Sequence, residues 1–219
     1  LSVLAGIVGC WSALSMPRIG DGDETGQSLP RRTFKQLPPA LIFVALFMFF
    51  VTMTEGAMAD WSAVYLAERL GDGAERAGIA VTIFTAFMAG GRFLGDWFKR
   101  HLGGVALARL TVGCAVVGLF LLVLPLPLPM AILGFALVGF GVSTAYPLGV
   151  SAVAALDDKY EAPNIAIMAT VALGGFLVGP PVIGTLAELT NLQIGLAALL
   201  PGLILALWLT RWLRPRDSG

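Results

Sequence analysis

The chain of 219 residues is 57% hydrophobic and only 13% charged, and its 14 basic and 14 acidic side chains balance to a net charge of zero. A soluble domain lies nearer about 45–50% apolar and about 25% charged, so the composition excludes an ordinary soluble fold. The lack of a basic excess excludes nucleic acid as a partner. Apolar runs of about 20 residues, long enough to cross a bilayer as helices, point to an all-α polytopic membrane protein whose first partner is lipid.

In chain order, the sequence begins at Leu1 already inside an apolar run. Residues 1–14 are too short to span and lack the basic flank of a signal peptide. They read as the end of a preceding transmembrane helix. Residues 15–38 form a polar, Gly- and Pro-containing linker of mixed charge. Residues 39–212 read as a six-helix bundle with spans near 39–66, 78–94, 105–124, 130–156, 164–187 and 192–212, and 213–219 are a short basic tail. Cys10 and Cys114 stand singly in apolar runs and read as small buried hydrophobes. His101, the single histidine, reads as an interfacial polar residue in a basic stretch.

The arginines and lysines set the orientation. One side collects Arg18, Arg31, Arg32, Lys35, Arg92, Lys99, Arg100, Arg109, Lys159, Arg211, Arg214 and Arg216, and the other has only Arg69 and Arg76. Linker and tail therefore face the cytoplasm, as expected for an integral protein of a bacterial inner membrane.

Within the first span lies TMTEGAMADWSAVY. An acid inside an apolar span is costly and is by default a functional candidate. Glu55 lies 16 residues past Pro39, about 24 Å at helical rise, with Gly56 allowing a local break. Asp60 lies further toward the far-side mouth. With Trp61 it either lines a solute path or caps the helix end, Trp61 and Tyr65 then forming an aromatic belt. In the fourth span, Ser143, Thr144 and Tyr146 precede Pro147, which frees a carbonyl one turn back and bends the helix. The three polar residues read as facing the pathway, against the alternative of close packing through small residues. In the fifth span Gly179, Pro180 and Pro181 read as a packing hinge. A phosphate-binding glycine loop is excluded there, because no Lys-Ser/Thr follows.

The stretch GGRFLGDWFKRHLGG, residues 90–104, carries Arg92, Asp96, Lys99, Arg100 and His101 among its glycines. It reads as a charged turn between two membrane-length helices. Asp96 lies four residues from both Arg92 and Arg100, helical spacing for an ion pair. Those three residues read as a conformational latch.

That stretch resembles the G-x-L-x-D-R-x-G-R-[KR] loop signature of the major facilitator superfamily. It departs from the signature in having Trp97 after the aspartate and a shifted Lys99-Arg100-His101 cluster. EGAMADWSAVYL resembles the seventh helix of a bacterial subgroup near the fucose permeases and their uncharacterised inner-membrane relatives. The Gly-Pro run of the fifth span is similar to one that facilitators carry in helix five, its repeat-related counterpart. The resemblance implies the carboxy-terminal half of a twelve-helix transporter, with helices seven to twelve present here. Its partner would be a missing amino-terminal half or a second copy.

The implied function is secondary active transport of a small solute, a sugar, another metabolite or a drug-like molecule, by alternating access. No cofactor is implied, and Glu55 is a candidate for proton coupling. Two competitors stand beside this reading. One is a non-transporting or dimerising six-helix scaffold. The other is a membrane enzyme, which the absence of an HExxH, paired-carboxylate or His/Cys constellation argues against.

Overall fold

A computed structural model describes residues 37–214. The expectations for the half-helix, for nearly all of the linker and for the last five tail residues fall outside that range. Six helical segments within it are long and apolar enough to cross a membrane: Pro39–Leu70, Gly78–Leu102, Gly104–Val123, Leu128–Ala154, Glu161–Leu189 and Leu192–Leu213. We label the α-helices α1 (Pro39–Leu70), α2 (Gly78–Leu102), α3 (Gly104–Val123), α4 (Leu128–Val142), α5 (Ala145–Ala154), α6 (Glu161–Leu189), α7 (Leu192–Ala197) and α8 (Leu199–Leu209). The fourth span is thus α4 plus α5, and the sixth is α7, α8 and a final 3-10 turn, Thr210–Leu213.

α1 starts at a proline, where the missing amide costs nothing, and ends at Gly71 with φ +55°. It runs unbroken through Gly56. The local break expected there does not occur; Gly56 serves another purpose. Because apolar tails surround such a bundle, helices associate through close packing rather than water exclusion. Glycines accordingly mark the crossings. A Cβ at Gly56 would overlap the Phe176 carbonyl of α6, and those at Gly175 and Gly179 would overlap the Phe49 and Met53 carbonyls of α1. α3 and α4 meet the same way, with Gly118 and Gly134 each against the other's backbone.

The second expected turn is also revised. Residues 90–102 are not a loop but the last turns of α2, which continues to Leu102. Gly90, Gly91 and Gly95 are tolerated within it, and Gly91 leaves the notch into which Ser143 of α4 fits. Only Gly103, with φ +79° and ψ 157°, turns the chain from α2 into α3. Lys99, Arg100 and His101 occupy the final turn of α2, where cations complement the negative end of the helix dipole.

The fourth span breaks at Ser143–Thr144, as Pro147 leads one to expect. Pro147 lies in the first turn of α5, where a helix needs no amide donor. α6 by contrast is continuous through Pro180 and Pro181. At the end of the bundle that holds Leu70, Tyr65 is buried rather than belted, donating to the Leu122 carbonyl. Arg69 bonds the Tyr65 hydroxyl and the Leu126 carbonyl, and Gln193 the Val123 carbonyl. These side chains satisfy the backbone where Pro125 and Pro127 interrupt it.

Candidate functional site

Polar side chains inside the bundle divide into those spent on helix packing and those offered to a cavity. Thr52 is buried and bonds the Met48 carbonyl at 2.8 Å and the Ala172 carbonyl at 2.6 Å, tying α1 to α6. Ser143 is buried and donates to the Phe140 carbonyl at 2.6 Å. Thr144 is buried and lies 3.1 Å from the Thr111 hydroxyl, which itself donates to the Leu107 carbonyl. Ser143 and Thr144 therefore serve helix contacts and do not face a path. The reason is the break before Pro147, which turns both hydroxyls toward α2 and α3.

Tyr146, one residue before the proline, points the other way. It lines a cavity of about 660 Å³ together with Thr52, Glu55, Arg92, Pro147, Ala169, Ala172, Leu173 and Phe176. Four helices contribute: α1, α2, α5 and α6. The wall is largely apolar, and its centre of charge is one ion pair. Arg92 Nη2 lies 2.9 Å from Glu55 Oε1, linking consecutive spans. The Arg92 side chain is 48% exposed, that of Glu55 only 19%.

This pairing corrects the expected latch. Arg92 bonds Glu55, not Asp96, and among the described residues Asp96 makes no ion pair with Arg92 or Arg100. Asp96 lies on α2 beside strongly exposed neighbours, Phe93 at 88% and Trp97 at 52%. Lys99, one turn closer to the helix end, donates to Ser151 of α5 at 3.0 Å. The cross-helix pair follows from helix antiparallelism. Glu55 lies 16 residues into α1 and Arg92 ten residues before the end of α2, about 24 and 15 Å from one bundle end. The remaining offset is within reach of an extended arginine.

Asp60 and Trp61 line a second cavity, about 470 Å³, with Val64, Pro180, Pro181 and Glu188. Trp61 Nε1 donates to the Pro180 carbonyl at 3.0 Å. Pro180 and Pro181 remove the amides that would bond the Phe176 and Leu177 carbonyls. The freed Phe176 carbonyl is the one seated on Gly56, where Cα–H···O contact recovers part of the loss. Both cavities are thus lined by α1 and α6. No His/Cys/Asp/Glu group among the described residues is placed to hold a metal.

The family model that matches this chain is the Major Facilitator Superfamily, over residues 1–163. An uncharacterized MFS-type transporter of Yersinia pestis is 32% identical over 167 residues, which are 73% of this chain and 42% of that protein. An uncharacterized transporter of Sinorhizobium fredii is 34% identical, over 70% of this chain and 41% of that protein. The membrane protein MosC of Rhizobium meliloti is 30% identical, over 69% and 37%. The chain thus spans less than half the length of the curated relatives it matches. Among solved structures, the peptide transporter POT in complex with alafosfalin superposes with a TM-score of 0.73 at 20% identity, over 84% of this chain and 40% of that one. POT in complex with sulfate gives 0.72. That likeness is one of fold.

Proposed function

The chain belongs to the major facilitator superfamily, and from that premise we propose that it forms one bundle of a secondary transporter that moves a small solute by alternating access. The family and its relatives are transporters rather than enzymes, which carries the coarser statement of membrane transport. The solute-path reading rests on one observation: the ion pair Glu55–Arg92, set in a largely apolar cavity between four helices. Charges within spans are tolerated where they pair or line a water-filled path, and a concave apolar site with few polar groups is the usual form of a small-molecule site.

In this reading α1, α2, α5 and α6 line the solute path, and Asp60 and Trp61 stand along its continuation. Pro180 and Pro181 form the hinge region of α6. The Lys/Arg-rich end, with Lys99 and Arg211, faces the cytoplasm of a bacterial inner membrane. A complementary six-helix half completes the path, and Glu55 carries the proton if transport is proton-coupled.

The test is a comparison of the solutes accumulated by membrane vesicles carrying the intact protein and by vesicles carrying Leu173→Trp, which fills the cavity. At least one small solute enriched by the first and not by the second is the expected result. Identical profiles, with both proteins present in equal amount, would refute the reading.

A further inference from the structure

We propose that Arg92 recognises an anionic group on the solute, an organic carboxylate with a compact apolar body, and that Glu55 is an internal stand-in which that carboxylate displaces. The inference rests on the reading of this cavity as the solute site and adds to it the chemical class of what enters.

The asymmetry of the ion pair carries the argument. Among the described residues that line the cavity, Arg92 is the one base and Glu55 the one acid. Glu55 is withheld, at 19% exposure, while Arg92 is offered at 48%. A single guanidinium nitrogen, Nη2, is engaged by Glu55 Oε1. The other guanidinium donors have no acceptor among the described residues. Tyr146 also lines the cavity and carries a hydroxyl that can donate. Thr52 is already committed to two backbone carbonyls. The cavity therefore presents donors beside an apolar lining of Leu173, Phe176 and Ala172.

A carboxylate fits the free part of the guanidinium fork, and bidentate pairing makes that contact strong and directional. An amine entering the same cavity meets the like charge of Arg92 before it reaches Glu55. An unpaired guanidinium at this depth is expensive, and Glu55 holds its place until a carboxylate of the same chemistry arrives. Glu55 and the solute then compete for one group.

The experiment uses the intact protein in lipid nanodiscs. Its probes are hexanoate, cyclohexanecarboxylate and phenylacetate, each beside its neutral amide and the amine of the same body, with affinity read from thermal shift. At least one carboxylate is expected to bind at least about tenfold tighter than its amide and amine. Arg92→Gln should weaken that carboxylate about tenfold or more, the range of a charge-assisted hydrogen bond. Glu55→Gln should tighten it severalfold, because the competitor is gone. A structural ion pair gives the opposite sign, with both variants weakening binding alike, and that result would overturn the proposal. So would amines or amides that bind as well as the carboxylates, or no binding by any probe. Leu173→Trp separates the two levels of the argument. Carboxylate binding that survives Leu173→Trp places the site elsewhere and removes the cavity reading. Binding lost in Leu173→Trp but indifferent to Arg92→Gln keeps the cavity and removes the anion.

Discussion

Among single residues, Glu55 and Arg92 decide most, because each is costly in a span without the other. Truncating one partner leaves an uncompensated charge, whereas removing both leaves only two polar amides. A double-mutant cycle of Glu55→Gln and Arg92→Gln, read by thermal unfolding in detergent, should therefore be non-additive. We expect the double variant to lose less stability than the sum of the two single losses, with a coupling of about 1 kcal/mol, since Arg92 is half exposed and solvent weakens the pair. Additive effects would mean that the two side chains do not meet in the membrane. The neighbouring polar residues behave differently. Ser143 and Thr144 are buried and bonded within the bundle, so their replacement acts on packing.

At the level of helices, the α1–α6 seam is the element on which the cavities depend, and it is built from backbone approaching backbone. Gly179 faces the Met53 carbonyl closely enough that a Cβ would overlap it, while a Cβ at Gly174 meets nothing within 4 Å. Gly179→Ala should then destabilise the protein by about 1–3 kcal/mol through overpacking. Gly174→Ala, five residues away on the same helix, should be neutral or stabilising by up to about 1 kcal/mol because alanine favours helix. Melting temperatures of the two variants check the contrast, and equal losses would mean that the seam is not close-packed.

These same elements show what the sequence could disclose. The six spans were legible from hydropathy, the interruption of the fourth from Pro147, and Glu55 from its cost in lipid. The stretch from 90 to 104 misled, because five glycines amid charges imitate a turn. Helix backbone needs relief only where φ is positive, and of those five only Gly103 has that φ. The partner of Arg92 misled for a related reason. Spacing of four residues along one helix suggests Asp96, but two antiparallel helices bring Glu55 within reach of an extended arginine, and that relation is invisible until the helices are placed side by side. Nor does sequence say which way the hydroxyls of Ser143 and Thr144 turn at a helix break.

For the whole molecule, the question is whether the α2–α6 face meets water or lipid. Leu173 of α6, which lines the cavity that holds the ion pair, is 58% exposed, and Leu177 of α6 and Phe93 of α2 are 61% and 88% exposed. Val117 of α3 is exposed to a similar degree, 53%, away from the cavity. A bundle standing alone as a scaffold in lipid would immerse both surfaces in acyl chains. A bundle that forms half of a solute path would keep Leu173 beside water and leave Val117 in lipid. Introducing Leu173→Cys or Val117→Cys, after replacing Cys10 and Cys114 with alanine, separates the two. A thiolate is needed for maleimide to react and forms in water rather than in hydrocarbon. A membrane-impermeant maleimide applied to opened vesicles should label the Leu173→Cys protein at least about tenfold faster than the Val117→Cys protein. The rate should fall when a transported solute occupies the cavity. Equally slow labelling of both would favour the scaffold, because an apolar face with a part-exposed ion pair would then be sealed by lipid along its whole length.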